Sequence, residues 1–195
     1  MIGIVDYEAG NISSVVNALK ALDLAYRTTS KTVELSQCSG IILPGVGAAP
    51  GAMHSLQNNG LVEFLRSFDR PLLGICLGMQ LLFERSEEGD TSCLGIIPGC
   101  ITKLGDEAEK IPHMGWNAVD LSNENPLMKD IPTDSYFYFA HSYVAPVRET
   151  TVATCRCGSE FAAIVRKGNF LGVQFHPEKS GRIGLKLLKN FSDAC

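Results

Sequence analysis

The chain has 195 residues, which fits one folded domain of about 100–200 residues, so we expect a single domain over residues 1–195. Hydrophobic residues make up 45% and charged residues 19%, a balance that excludes a disordered or highly charged tail. The formal net charge of −4 supplies no basic excess to neutralise phosphates, which excludes nucleic acid as the principal partner.

Cysteine and histidine usage indicates a reducing compartment and no metal site. The seven cysteines are an odd number in a chain large enough to be stable without disulfides. Cys155 and Cys157 have a single residue between them and the four histidines lie far apart, so we predict no bound metal. Asp6 interrupts the N-terminal apolar segment and no apolar run approaches about 18 residues, so we expect a cytoplasmic protein that does not enter a membrane.

The first part of the chain alternates strand patterns with helical patterns. The predicted elements are, in order, a strand at 2–5, a helix at 12–22, a strand at 41–43, a helix at 56–68 and a strand at 71–75. The last of these strands turns at Cys76 into a helix that carries Met79, Leu82 and Phe83. Strands that alternate with helices predict an α/β fold with a mostly parallel sheet.

From about residue 93 onward the pattern changes to short apolar pieces separated by Gly and Pro, which predict strands and loops. One of these pieces is the aromatic run at 136–139. The segments 161–165 and 170–175 flank a four-residue loop with hairpin composition. A helix at 183–191 closes the domain. The sequence therefore predicts additional antiparallel strands beside the parallel sheet.

Cys76 lies in a Gly-x-Cys-x-Gly sequence between a predicted strand and a predicted helix. Small residues at 74 and 78 permit a strained turn that exposes the middle side chain. At a helix N-terminus the positive end of the helix dipole favours thiolate over thiol. A buried, inert cysteine in a Gly-rich turn is the alternative interpretation.

The tripeptide His176-Pro177-Glu178 supplies the base that a thiolate nucleophile requires. His176 follows an apolar strand, where open α/β sheets build their sites. Pro177 keeps the chain non-helical, so that Glu178 can accept the imidazole N–H and stabilise the imidazolium. A loop with a solvated Glu is the alternative.

A tetrahedral intermediate also needs hydrogen-bond donors for its oxyanion. The turn at 44–47 directly follows a predicted strand, and its glycines let backbone N–H groups such as that of Gly47 approach a ligand. The N–H of Leu77, next to the nucleophile, is the second candidate donor. Judged alone, the segment 44–47 is equally consistent with a plain tight turn.

Together these motifs resemble the class I, or triad, glutamine amidotransferases. The resemblance rests on three segments: 44–47, 74–80 and 176–178. It implies a flavodoxin-like sheet, mostly parallel and flanked by helices.

A second set of residues is similar to the glutaminase subunits of imidazole glycerol phosphate synthases within that family. The set comprises Met79, Asp6-Tyr7 with Gly10-Asn11, 112–117 and His141-Ser142-Tyr143. The similarity runs from residue 2 to about residue 191.

The resemblance implies that glutamine is hydrolysed through a γ-glutamyl thioester on Cys76, without a cofactor. His176 is then the acid and base and Glu178 orients it, while Gly47 and Leu77 provide the oxyanion donors. The residues implied to contact glutamine are Gln80, Glu88, Ser142 and Tyr143. Family behaviour further implies that the Val46–Gly47 peptide reorients before the oxyanion hole is complete, which would leave the isolated chain nearly inactive.

The length of the chain independently implies a partner, because one amidotransferase domain leaves no room for an ammonia acceptor site. The partner in the similar family is a (βα)8-barrel cyclase subunit of histidine biosynthesis, which would form a heterodimer with this chain. Our interface candidates are Trp116, Tyr138 and Lys179, since Trp is a frequent interface anchor. Tyr138 as a core residue and Lys179 as a solvated charge are the alternatives.

Two other functions are weighed against this one. The chain could serve a different synthase, for anthranilate, aminodeoxychorismate or a surface sugar; residues 79–80 and 113–116 argue against the first two. It could also be a catalytically dead scaffold that regulates a partner. Intact Cys76, His176 and Glu178 argue against the scaffold.

Overall fold

The computed structural model describes residues 1–8, 11–105, 107, 110–121 and 125–195, so Gly10 of the motif quoted above lies outside the described residues. The strands are β1 (Ile2–Val5), β2 (Tyr26–Thr29), β3 (Gly40–Leu43), β4 (Leu72–Ile75), β5 (Phe83–Ser86), β6 (Thr91–Ser92), β7 (Ile97–Lys103), β8 (His113–Ala118), β9 (Asp120–Leu121), β10 (Tyr136–His141), β11 (Tyr143–Val144), β12 (Thr151–Cys157), β13 (Ser159–Lys167) and β14 (Phe170–Val173). The α-helices are α1 (Ile12–Ala21), α2 (Thr32–Leu35), α3 (Ala49–Asn58), α4 (Val62–Arg66), α5 (Leu77–Gln80) and α6 (Gly181–Asp193).

The main sheet has eight strands among the described residues, in the order β2-β1-β3-β4-β14-β13-β12-β9. The first five pair in parallel, with Leu73 of β4 opposite Ile42 of β3 and Leu171 of β14. The central strands β1, β3 and β4 are buried along their whole length, as expected where helices cover both faces of a parallel sheet. The order β2-β1-β3-β4 is that of flavodoxin-like folds, which confirms the predicted class.

Most of the remaining strands pair in antiparallel fashion, as predicted from the second part of the chain, although β5 and β7 pair in parallel. β14, β13, β12 and β9 form antiparallel pairs that extend the sheet on one side. Gly168, in the turn between β13 and β14, has φ +59°, a value that favours glycine. A separate pair, β8 and β10, and a smaller sheet in the order β11-β7-β5-β6 lie outside the main sheet.

Two predicted helices are shorter in the structure than in the sequence analysis. The helix expected over 56–68 is divided into α3 and α4, because Gly60 adopts φ +64° between them. The helix expected after Cys76 ends at Gln80, and Phe83 begins strand β5 instead. Both segments have helical apolar spacing. The same spacing can arise where a helix is interrupted or is followed by a strand, because the apolar side chains are buried against the sheet in either case.

The hydrophobic core lies on both faces of the main sheet. On one face α6 buries Leu187, Leu188 and Phe191. On the other face α3 and α4 bury Leu56 and Leu65. Because helices cover both faces of the main sheet, a ligand can approach it at the edge where the parallel strands end. Strands β1, β3, β4 and β14 all end at that edge.

No helix in the part of the chain that the structure describes is both long and apolar enough to span a bilayer.

Candidate active site

Cys76 lies in a sharp turn between β4 and α5. Its backbone has φ +53° and ψ −110°, a conformation that non-glycine residues rarely adopt. The Cys76 N–H donates to the Val173 carbonyl on the neighbouring strand at 2.8 Å, which fixes the start of the turn. The side chain is only 5% exposed, yet it lines a cleft. This is the predicted strand-to-helix elbow, and strain of this kind is characteristic of functional sites.

The glycines on either side of Cys76 are required by close backbone packing. A Cβ at Gly74 would lie 2.6 Å from the Gly78 carbonyl oxygen. A Cβ at Gly78 would lie 1.9 Å from the Leu43 carbonyl oxygen at the end of β3. The elbow and the end of β3 are therefore in backbone contact, which brings the turn at 44–47 beside the nucleophile.

Replacing Gly78 by alanine is expected to lower the free energy of unfolding by about 3 kcal/mol or more, because neither backbone can move without breaking the sheet. The matched control is Gly51→Ala in α3, where a Cβ meets nothing within 4 Å. That variant should be neutral or more stable by up to about 1 kcal/mol. Urea denaturation followed by circular dichroism measures both changes. Equal stability of the two variants would contradict the packing argument.

His176 and Glu178 form a buried pair just beyond the end of β14. The His176 Nδ1–H donates to Glu178 Oε1 at 2.8 Å, and the two side chains are 3% and 2% exposed. Burial alone would lower the pKa of His176, but its hydrogen bonds and charge interactions with Cys76 and Glu178 raise it to about 10. Nδ1 is occupied by Glu178, which leaves Nε2 for the thiol. The solvated Glu that was the alternative is not what the structure shows.

A cleft of about 360 Å³ opens beside this pair. All the side chains assigned to catalysis, to the oxyanion or to glutamine line it, apart from Glu178, which reaches it through His176. Its lining includes Val46, Gly47, Cys76, Leu77, Gln80, Glu88, Ser142, Tyr143, His176 and Lys179. Val46 and Lys179, 133 positions apart in the chain, line this one site because β3 and β14 end at the same edge of the main sheet.

The turn after β3 is anchored at both ends. Tyr7, fully buried, donates its hydroxyl to the Pro44 carbonyl at 2.7 Å. Glu88 Oε2 accepts the Ala49 N–H at 2.7 Å, at the start of α3. Between these anchors Gly47 has φ +95° with nothing within 4 Å of a Cβ position. Glu88 thus has a structural contact in addition to any contact with a ligand.

Gln80 is held from inside the protein. Its Nε2 donates to the Tyr143 carbonyl at 2.9 Å and to Gln174 Oε1 at 3.0 Å, which uses both amide hydrogens. Only the Gln80 carbonyl oxygen remains available to a ligand. Gln174 is fully buried and its Nε2 lies 3.8 Å from Cys76 Sγ.

The sequence analysis did not assign a role to Tyr7 or to Gln174. A polar residue at 174, inside an otherwise apolar segment just before His176, is the signal that could have identified the second. Tyr7 was noted only as part of a resemblance, because its partner, Pro44, is 37 positions away.

His113 and His141 form a second buried pair, and His141 lines the cleft. His113 Nδ1 and His141 Nε2 are 3.0 Å apart. Burial, and to a lesser extent the neighbouring His113 and His176, lower the pKa of His141 to about 3. Burial also lowers the pKa of His113. Both rings are therefore neutral at neutral pH.

Lowering the pH from 6.5 to 5.0 is expected to reduce the free energy of unfolding by up to about 2 kcal/mol through His141. Its pKa is about 3 when folded and close to 6.5 when unfolded, so the unfolded chain binds the extra proton over this interval. The contribution is complete above pH 6.5 and is lost as the pH falls towards 3. Urea denaturation at both pH values measures this loss of stability. Between pH 6.5 and pH 5.0 the variant His141→Asn should lose less of its free energy of unfolding than the native chain does.

The three interface candidates lie close together. The Trp116 and Tyr138 rings are 6.1 Å apart, and Lys179 Nζ lies 5.9 Å from the Tyr138 ring centroid. Trp116 is 55% exposed, Tyr138 is half-buried and Lys179 is exposed. Lys179 lines the cleft, while the other two lie outside it.

The fold is that of the class I glutamine amidotransferases, and the sequence profile of that family, Glutamine amidotransferase class-I, matches residues 3–195. The chain belongs to this family and is a glutamine amidotransferase. Imidazole glycerol phosphate synthase subunit HisH 2 of Legionella pneumophila strain Lens is 46% identical over 192 residues, covering 98% of this chain and 96% of that protein. Subunit HisH of Bacillus cereus is 50% identical over 196 residues, covering 98% and 93%. Within the class, the chain belongs with the HisH subunits.

Solved structures agree with the fold. A crystal structure of a glutamine amidotransferase has a TM-score of 0.77 at 18% identity, covering 99% of this chain and 97% of that chain. The structure of PurLQS from Thermotoga maritima has a TM-score of 0.71 at 19% identity, covering 98% and 97%.

Proposed function

We propose that this protein is the glutaminase subunit of an imidazole glycerol phosphate synthase. It hydrolyses L-glutamine to glutamate and ammonia and passes the ammonia to a (βα)8-barrel cyclase subunit. The cyclase then makes imidazole glycerol phosphate and aminoimidazole carboxamide ribonucleotide for histidine biosynthesis. The observation that carries the proposal is the elbow cysteine facing the buried His176–Glu178 pair in one cleft, in a chain that belongs with the HisH subunits.

The first half of the reaction forms the thioester. The Cys76 thiolate attacks the side-chain amide carbon of glutamine, and the carbonyl π electrons move to the oxygen. When this intermediate collapses, the C–N bond breaks and the imidazolium of His176 gives its proton to the leaving nitrogen. The raised pKa of His176 keeps that proton available at neutral pH.

The second half hydrolyses the thioester. Water gives a proton to His176 and attacks the thioester carbon, and the C–S bond breaks to return the Cys76 thiolate and release glutamate. Glu178 accepts the Nδ1–H of His176 throughout, so it stabilises the imidazolium and keeps Nε2 directed at the reacting atoms.

Glutamine is held by the polar groups that line the cleft. The Gln80 carbonyl oxygen is suited to accept from the substrate ammonium, while Glu88 carries the charge that complements it. Ser142 and Tyr143 bind the glutamine backbone groups through their main chain. Gly47 and Leu77 donate N–H groups to the oxyanion.

Completion of the oxyanion hole depends on the turn at 44–47. The anchors at Pro44 and Ala49 fix both ends, while Gly47 is unobstructed between them. This arrangement permits the Val46–Gly47 peptide to reorient without moving the flanking β3 or α3. As the resemblance to the family implies, we expect the isolated chain to be nearly inactive until its partner favours the competent orientation.

The cyclase binds on the face that carries Trp116, Tyr138 and Lys179. Large apolar side chains are exposed there, including Met114, and such patches mark protein interfaces. The Tyr138 carbonyl accepts the His176 N–H at 2.8 Å, so this face is one hydrogen bond from the catalytic base. The chain acts as a single domain, in the cytoplasm, and as one half of a heterodimer.

Glutamate formation from glutamine, measured with and without the cyclase subunit and its nucleotide substrate, tests the proposal. We expect co-purification with the cyclase and a rate at least about 100-fold higher in the complex. Activity with the acceptor of a surface-sugar pathway, and none with the cyclase nucleotide, would favour the paralogous function instead. Absence of glutamate under all conditions would contradict glutaminase activity itself.

A further inference from the structure

The mechanism above does not use the His113–His141 pair, although His141 lines the cleft. The two residues are opposite each other on β8 and β10. His141 Nδ1 lies 3.0 Å from the Tyr143 carbonyl oxygen, and His113 Nε2 lies 3.2 Å from Asn117 Nδ2. With the bond between the two rings, these contacts form one continuous chain of hydrogen bonds.

The donor and acceptor in each of these bonds are fixed by chemistry. A carbonyl oxygen can only accept, so His141 carries its hydrogen on Nδ1 and its neutral Nε2 accepts. His113 must then donate from Nδ1 and accept on Nε2 from the Asn117 amide. A second proton on His141 would leave two donors facing each other. Only the neutral Nδ1–H tautomer of both rings satisfies every bond.

The rings are also restricted in rotation. His113 stacks on Phe139 with ring centroids 4.9 Å apart, and His141 meets Phe161 edge-on at 5.2 Å. Packing and hydrogen bonding therefore define one orientation of the pair.

This chain of bonds ends at the floor of the cleft. The Tyr143 carbonyl accepts from both His141 and Gln80, which uses both of its lone pairs. Gln80 donates in turn to Gln174, whose amide nitrogen lies 3.8 Å from Cys76 Sγ. The orientation of Tyr143 thus determines where Gln80 presents its free carbonyl oxygen.

We infer that His113 and His141 are positioning residues, a neutral pair locked in one tautomer that fixes the Tyr143 carbonyl and, through it, the Gln80 amide in the glutamine cleft. The kinetic role rests on the proposed glutaminase function. The tautomers do not depend on that function, so the two parts are tested separately.

The first test is ¹⁵N NMR of the full chain labelled in histidine, which reports the protonated ring nitrogen without any assay. At pH 6 we expect His113 and His141 to be neutral with the hydrogen on Nδ1. His54 is exposed and serves as the internal reference. An Nε2–H tautomer or an imidazolium at either buried position overturns the inference.

The second test compares His141→Leu with His141→Asn in the complex with the cyclase. The Asn amide nitrogen takes the place of Nδ1 and can still donate to the Tyr143 carbonyl, whereas Leu cannot. We expect His141→Leu to raise the KM for glutamine about tenfold, which corresponds to the loss of one hydrogen bond, and to lower kcat by a smaller factor. His141→Asn should restore most of the native KM. His54→Asn should change neither constant.

A purely structural role would lower kcat in proportion to the folded fraction and leave KM unchanged, which overturns the positioning role. If His141→Leu does not fold, His113→Leu and His113→Asn give the same comparison one bond further away. A native complex that shows the expected tautomers but no glutamine hydrolysis would reject the proposed function and leave the locked pair intact.

Discussion

Glutamine hydrolysis by the complex is expected to fall by roughly 10⁴-fold or more when Cys76 is replaced by alanine. The thiolate forms the covalent bond to substrate, and Cys76 is the only cysteine among the described residues that lines the cleft. The loss should appear in kcat, because the cleft and its polar lining remain. Glutamate release measures the rate, and mass spectrometry of the quenched native enzyme detects the thioester.

The matched control is Cys100→Ala, a half-buried cysteine in β7, outside the cleft. Hydrolysis should be retained in this variant. Cys76→Ala should also lower the pKa of His176, since it removes one of the two partners that raise it. Unchanged hydrolysis in Cys76→Ala would exclude a thioester on this residue.

Replacing Glu178 by glutamine is expected to lower kcat by about 10²–10⁴-fold with little change in the KM for glutamine. The carboxylate contacts His176 and not the substrate, so the variant loses stabilisation of the imidazolium and keeps the cleft. The pKa of His176 should fall below its native value of about 10, because a charged partner becomes neutral. A ¹⁵N NMR titration of His176 measures this shift directly.

The control for Glu178 is Glu63→Gln, an exposed glutamate whose ion pair with Arg66 lies on the surface of α4. Both kinetic constants and the titration of His176 should match the native values. A rise in KM with unchanged kcat in Glu178→Gln would instead assign this residue to substrate binding.

Much of the fold was predictable because its patterns are local. Apolar periodicity identified the strands β1, β3 and β4 and the helices α1 and α6. It placed the end of the helix after Cys76 wrongly, since Leu82 and Phe83 are buried whether the segment is helical or extended. It also missed the break at Gly60, because a single positive φ leaves the apolar spacing almost unchanged.

The candidate catalytic residues were predictable for a similar reason. The elbow and the His-Pro-Glu segment each concentrate their chemistry within a few residues, so each can be identified from its own segment. Tyr7 and the paired roles of His113 and His141 have no such local signal. Their functions depend on partners far away in the chain, which propensity and spacing do not encode.

The sequence by itself determined the α/β class of the fold and singled out a candidate nucleophilic cysteine with a candidate base and acid. Only the tertiary structure decided which hydrogen-bond partner each polar group of the site takes. The parallel strands end at one edge and bring residues 7, 44, 76 and 176 together, and Tyr143 joins them from β11 of the smaller sheet. Each carbonyl and amide there has a limited number of hydrogen bonds. Because of this limit, both amide hydrogens of Gln80 are donated to groups of the protein, and the tautomers of His113 and His141 are fixed. The limit acts in three dimensions, so it becomes visible only once the chain is folded.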